Sequence, residues 1–379
     1  MIVDMQWLDS LISLLATGLT TLLIFVGSIF PISQTKVFVP TPVAPVAESV
    51  ATTTSTTTAP AATSTKPTIK TPSKPPVVAA PVIPTPTPVV TPPPLPTKTE
   101  AQINDEARAA LVNILCLPQV GINGISGSGV VVDSRGVILT NAHIGQFFLL
   151  RDYMIKDNVT CTIRIGSPAQ ERYTATLLYL PPTWVAANDS QLKESVATGT
   201  GEHDYAFLLI TGRTDPAATL PSSFERMEMN RGYVDIGDPM LLAAYPAGFL
   251  GSQTVQKNLY LSSAIAYVTQ LFSFTGDKQV DLFSIGGTVV SQGGSSGGAV
   301  ARLTDGKLMG IIATATSGVS TGDRDLRAIS LAHIDDSLAA QGEGGIVLLL
   351  SGNLTAKAAV FASTTAVTER AALFKVLGK

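Results

Sequence analysis

Residues Gly294-Ser295-Ser296-Gly297-Gly298 have the form Gly-x-Ser-Gly-Gly. A serine between glycines can sit on a tight loop with its hydroxyl exposed, and the glycines let a substrate carbonyl approach the backbone closely. The N–H groups of Gly294 and Ser296 can then converge on one oxyanion. Taken alone, such a segment is equally a glycine-rich surface turn. Two residues upstream change its weight. His143 ends the segment Thr140-Asn141-Ala142-His143, after the turn Asp133-Ser134-Arg135-Gly136 and the apolar run Val137–Leu139. A histidine at a strand end, just past a tight hairpin, is rigidly placed. Asp204 stands immediately before the apolar run Tyr205–Ile210. A carboxylate there can accept the second N–H of the imidazole and fix its tautomer. A serine hydroxyl is a weak nucleophile until a base removes its proton. His143 would be that base, and then the acid that protonates the leaving amine. His143, Asp204 and Ser296 therefore make a candidate catalytic set, with the Gly294 and Ser296 N–H groups as its oxyanion hole.

The chain has three histidines, so the rival bases are two. His203 adjoins Asp204 and reads as a strand-edge residue. His333 reads as the cap of a helix at Asp335-Asp336-Ser337-Leu338. Asp189 is the rival acid. A serine esterase of the α/β-hydrolase arrangement needs Gly-x-Ser-x-Gly and the chain order Ser, Asp, His; here the order is His, Asp, Ser.

The elements that must position these residues read as short strands. GVVVD, GVILTN, CTIRI, YTATLLYL, YAFLLI, PMLLAAY, GTVVS, GAVARL and LMGIIAT alternate with Gly- and Asp-rich turns. Many short strands with turn signals between them predict an all-β barrel or sandwich. A helical pattern opens the region at Asn104, with Asn104 as its cap. Another occupies Asn353–Leu377, as one or two amphipathic helices with Asn353 as cap.

The chain of 379 residues is 45% hydrophobic and carries a formal net charge of −3, which offers no electrostatic case for nucleic acid. Its two cysteines, Cys116 and Cys161, cannot supply a zinc spacing. They can form one disulfide or be two buried thiols. No metal or cofactor is implied. Residues 10–30 contain no charge and are long enough to span a bilayer as a helix, with Trp7 at the interface and Pro31 ending the run. A cleaved signal peptide is the alternative, but no Lys or Arg precedes the run and it is long for such a segment. Residues 1–37 are therefore read as a membrane anchor. Residues 38–100, rich in Pro, Thr, Ala and Val, cannot build a packed core. They read as a disordered, semi-stiff linker that at roughly 3 Å per residue reaches on the order of 100 Å or more. Lys36 mildly favours a cytoplasmic C-terminal side, whereas a Pro/Thr stalk is typical of surface proteins. The stalk is given more weight, which places the domain outside the cytoplasm on a single-pass protein.

GSGVVVDSRGVILTNAHI, HDYAFLLI and GGSSGGAV, in this order, resemble the trypsin-like serine proteases, most closely the protease domain of the bacterial HtrA/Deg type. The resemblance covers roughly Ile114 to Ile334. It implies two antiparallel six-stranded β-barrels, with His143 and Asp204 on the first, Ser296 on the second, and the active site in the cleft between them. The protease domain is read as 101–340 and a C-terminal helical extension as 341–379; as a departure from the HtrA type, the tail after Ile334 is too short for a PDZ domain. The strand after the nucleophile loop, Leu308–Ser317, would line the substrate groove, making Thr314, Ala315 and Thr316 substrate-binding residues. Val290, six residues before Ser296, would sit at the base of the first specificity pocket and suit a small or medium apolar side chain. Ser295 stands where activated digestive proteases have an Asp that binds a freed N-terminus, so activation of that type is not expected. The interval from His143 to Asp204 is long, and the insertion around Thr183–Gly201 suggests a mobile loop over the cleft. The expected function is serine endopeptidase action on peptides or unfolded proteins, through an acyl-enzyme, by a membrane-tethered enzyme. The alternative is an inactive protease-fold binding domain displayed on the same stalk.

Overall fold

The computed structural model describes residues 41–42, 98–193, 199–276, 279–316, 318 and 320–378. The apolar run 10–30 lies outside the described residues, as does the Pro/Thr-rich segment except Thr41, Pro42 and its last three positions. Among the described residues no helix is long and apolar enough to cross a membrane.

A two-residue strand, β1 (Thr41–Pro42), is followed by helix α1 (Glu100–Ala110). The helix starts at Glu100 rather than at Asn104 because Thr99 and Gln102 close a capping box. The Thr99 hydroxyl accepts from Gln102 N at 3.2 Å and the Gln102 side chain accepts from Thr99 N at 2.8 Å. It ends at Ala110 because Leu111 turns extended and the buried run from Leu111 to Cys116 completes a barrel wall.

That first barrel is closed, in the order β2 (Leu111–Pro118), β3 (Ile125–Asp133), β4 (Val137–Thr140), β7 (Ala206–Arg213), β6 (Gln170–Tyr179), β5 (Val159–Ile165). The β3–β4 hairpin turns at Gly136, whose φ of +88° suits a residue without a Cβ. Cys116 and Cys161 face each other across β2 and β5 and are joined by a disulfide. Helix α2 (Ala142–Gly145) follows β4, and α3 (Pro182–Asn188) with the 3-10 turn Asp189–Lys193 follows β6.

The second sheet contains β8 (Pro239–Ala244), β9 (Ser262–Tyr267), β10 (Gln270–Ser273), β11 (Leu282–Gly286), β12 (Ala299–Arg302), β13 (Leu308–Ala315) and β14 (Leu326–Ser330), with helix α4 (Ser252–Lys257) between β8 and β9. Its row is β1-β10-β11-β14-β13-β12-β8-β9. Only Val268 and Thr269 separate β9 from β10. Val268 N donates to Asp238 O at 3.1 Å and Thr269 N to Ser284 O at 2.8 Å. One bent segment thus pairs first with β8 and then with β11, which rolls the sheet back on itself. Two antiparallel barrel-like sheets agree with the fold expected from sequence, but the second is a row of eight strands and not a closed barrel of six. The strand expected at Gly287–Ser291 is instead a turn, in which Ser291 N donates to Thr288 O at 2.9 Å.

Among the described residues four helices follow β14: α5 (Leu331–Ala340), α6 (Gly345–Leu349), α7 (Leu354–Ser363) and α8 (Thr365–Val376). Ser330, not His333, caps α5, its hydroxyl accepting from His333 N at 3.0 Å. Asn353 caps α7 as expected, accepting from Ala356 N at 3.0 Å. Helix α7 packs on β6, and α8 packs on α3 and its following 3-10 turn. Trp184 and Val185 of α3 are buried. Residues 182–193 of the expected loop are therefore docked structure beside α8, while its residues 194–198 lie outside the described residues.

Docking α8 buries Glu369, and among the described residues neither of its carboxylate oxygens is hydrogen-bonded. Desolvation pushes its pKa up to about 8. A carboxyl whose folded pKa is raised binds its proton more tightly when folded. Its contribution is therefore full below the ordinary carboxylate range and is lost as pH rises toward 8. Glu369→Gln is expected to leave the melting temperature at pH 4 nearly unchanged and to raise it at pH 8. Parallel melting curves for the two proteins at both pH values would contradict this assignment.

Candidate active site

His143 and Asp204 are positioned by neighbouring strands of the first barrel. Strand β4 ends at Thr140 and its partner β7 begins at Ala206, with Thr140 opposite Ala206 in register. The residues just past β4 and just before β7 therefore meet at the same rim. Asp204 is 6% exposed and His143 8%. The Asp204 carboxylate holds the histidine at two points: Oδ1 accepts from His143 N at 2.9 Å, and Oδ2 lies 2.9 Å from Nδ1. With Nδ1 carrying the proton, Nε2 is left as the acceptor that a general base needs. Asn141 Nδ2 donates to Asp204 O at 2.8 Å and fixes the backbone of the acid. His203, just before it, adopts a left-handed φ of +58°, so the chain turns sharply into β7.

Ser296 lies on the loop between β11 and β12 and is half-buried. The loop is bonded to both barrels. Gly297 N donates to Ile312 O at 2.7 Å on β13, while Ser128 N of β3 donates to Ser296 O at 2.8 Å. Gly297 has φ +81°, and a Cβ there would lie 2.1 Å from Ser128 O and 2.6 Å from Thr140 Oγ1. This close approach brings Ser296 to the rim that carries His143, three residues past Thr140. Among the described residues no hydrogen bond joins Ser296 to the His143 ring, whose Nδ1 is committed to Asp204. Such contacts often tighten only with substrate bound.

Gly294 has φ +89°, and a Cβ there would lie 2.7 Å from Tyr245 O. Gly293 O accepts from Ala247 N at 2.7 Å. A trans peptide points its N–H opposite to its C=O, so Gly294 N–H faces away from Ala247. Neither Gly294 N nor Ser296 N donates to another backbone group among the described residues.

The remaining sequence candidates fall elsewhere. Val290 is fully buried in the second core, so its side chain does not line an open pocket as expected. Thr314 and Ala315 pair with Arg327 and Leu326 of β14, and their side chains lie outside the described set. Thr316 is exposed, and its hydroxyl accepts from Asp325 N at 2.8 Å. His333 is held by Asp281, with Nδ1 3.0 Å from Oδ1. His203 stacks on it with ring centroids 5.8 Å apart. Burial lowers the His203 pKa against the opposing charge of Glu202, and His333 adds a smaller lowering. Asp189 sits on a 3-10 turn beyond α3. Among the described residues no group of three or more His, Cys, Asp and Glu could hold a metal ion.

Sequence reasoning did not assign Ser128, Asn141 or Arg324. The first two stand inside the quoted Gly-Ser-Gly and Thr-Asn-x-His segments, which was the available signal. Arg324 donates to Ser291 O at 3.1 Å and lies over the Phe249 ring at 5.3 Å, bridging two loops beside Ser296. Nothing in its sequence context marks it.

A family model described as a trypsin-like peptidase domain matches residues 127–311. No curated protein matches the chain. Among solved structures, the Rv3671c protease from M. tuberculosis in its active form aligns with 62% of this chain and 82% of that one, at 16% identity and a TM-score of 0.39. Residues 127–311 thus match the class of peptidase domain that the ordered motifs had indicated.

Gly297→Ala should destabilise the domain by at least about 1–3 kcal/mol from backbone strain alone, before the overlap with Ser128 O is counted. Chemical denaturation reads this directly, and an unchanged midpoint would mean that the loop does not approach β3 this closely.

Proposed function

We propose that the domain is a serine endopeptidase in which Ser296 attacks the peptide carbonyl and His143 takes its proton. Asp204 holds the imidazole in the required tautomer and stabilises the imidazolium that forms. The carrying observation is the two-point grip of Asp204 on His143 at the rim where the Ser296 loop docks. In the first step the bond from Oγ to the carbonyl carbon forms, and the carbonyl oxygen takes the negative charge toward Gly294 N–H and Ser296 N–H. His143 then protonates the leaving amine, and water hydrolyses the acyl-enzyme by the same route. Substrates of this reading are peptides and unfolded chains. The buried Val290 removes the basis for an apolar preference in the first pocket.

The absence of a bond between Ser296 and His143 is the one observation that favours an inactive, displayed binding domain. A fluorophosphonate separates the two readings, because only an activated serine reacts with it. Labelling at Ser296 is expected, together with loss of peptide hydrolysis on the order of a million-fold in Ser296→Ala. An unlabelled wild-type protein would favour the binding domain.

We also propose that the domain works outside the cytoplasm, tethered through residues 10–30 and the Pro/Thr-rich segment. The Cys116–Cys161 disulfide supports this, since such bonds persist in oxidising compartments. In protein isolated from its native membrane fraction under acid quench, both cysteines should resist alkylation until reduced. Two freely alkylated thiols would count against the placement.

A further inference from the structure

Gly127-Ser128-Gly129 opens the strand that carries the first motif, yet the proposed chemistry gives Ser128 no part. The residue is fully buried on β3, 168 positions before the nucleophile loop it touches in the proposed reading: its N–H donates to Ser296 O at 2.8 Å. Its hydroxyl donates to Gly294 O at 2.8 Å and accepts from Tyr245 N at 2.9 Å. Tyr245 is two residues before Ala247, whose N–H holds Gly293 O. One hydroxyl thus ties together the peptide that follows Gly294 and the chain that restrains the peptide before it.

We infer that Ser128 is a positioning residue, whose hydroxyl fixes the peptides on either side of Gly294 so that Gly294 N–H faces an oxyanion. The reasoning is geometric. Gly294 has a positive φ and no side chain to resist rotation. Its orientation rests on two carbonyl anchors, Gly293 O on Ala247 N and Gly294 O on Ser128 Oγ. Removing the hydroxyl frees the second anchor directly and leaves Tyr245 N unpaired in a buried site, which loosens the first. A flipped Gly293–Gly294 peptide would turn a carbonyl toward the oxyanion in place of a donor. The consequence for rate rests on the reading of Ser296 as nucleophile; the consequence for loop conformation does not.

The test is Ser128→Ala, compared with Ile163→Ala, a first-barrel core substitution that touches none of these bonds. In Ser128→Ala, kcat should fall roughly 100-fold, as for loss of an oxyanion donor, with KM little changed. Affinity for a peptide trifluoromethyl ketone, which places an oxyanion at the site, should fall by the same factor. Affinity for a product peptide should hold. Simple destabilisation would instead lower the amount of titratable enzyme, as in Ile163→Ala, and leave turnover per active site intact; that pattern overturns the inference. Independently of activity, the Gly294 amide resonance of ¹⁵N-labelled protein should move in Ser128→Ala. An unmoved Gly294 resonance overturns the inference even if hydrolysis is lost. A wild-type protein that neither hydrolyses peptides nor labels would remove the nucleophile reading, while the amide shift would still decide the positioning role.

Discussion

One buried serine of the first barrel, Ser128, holds the loop that carries Ser296. Ser128 donates its N–H to Ser296 O, donates its hydroxyl to Gly294 O, accepts from Tyr245 N and accepts at its own carbonyl from Thr140 Oγ1. Ser128 itself is fully buried, so a partner lost to it is poorly replaced from solvent and each bond costs more to break than an exposed one. The glycines follow from the same constraint. Gly297 has no room for a Cβ against Ser128 O, and none fits at Gly294 against Tyr245 O.

Buried polar groups elsewhere serve the same junction. Arg164 of β5 is fully buried, and desolvation lowers its pKa. Its guanidinium donates to Asn113 Oδ1 at 2.8 Å, and to Val255 O and Gln256 O at 2.9 and 2.8 Å. It ties helix α4, on the same β8–β9 connection as Ala247, to the first barrel. The same chain contains a second buried His–Asp pair, His333 with Asp281, at nearly the same separation as His143 with Asp204. The pairing itself is therefore not the mark of a reactive site. The difference is position: one pair lies at the rim where a serine loop docks, and the other lies between helix α5 and the second sheet.

Much of the fold was legible because strand periodicity and turn residues are local signals. The hairpin at Asp133–Gly136 and most of the apolar runs became strands. The errors were also local in origin. Thr99, at the edge of a low-complexity stretch, outcompetes Asn104 as a cap because Gln102 completes its box. Gly287–Ser291 has strand-like residues but turns, closed by Ser291 N on Thr288 O and by Ser291 Oγ accepting from Thr288 N. Residues 182–193 read as an insertion, yet Trp184 finds burial beside α8, a helix more than 170 positions later in the chain by the numbering of both elements.

The order and type of His143, Asp204 and Ser296, and the glycines around Ser296, were determined by the sequence itself. Those demands are chemical and show in residue identity. Only the tertiary structure decided that Asp204 grips His143 through backbone and ring together, that Val290 faces the core, and that a serine on β3 restrains the Ser296 loop. Each of these joins residues far apart in the chain. Such contacts depend on how two curved sheets close and abut, and no local pattern of side chains encodes that closure.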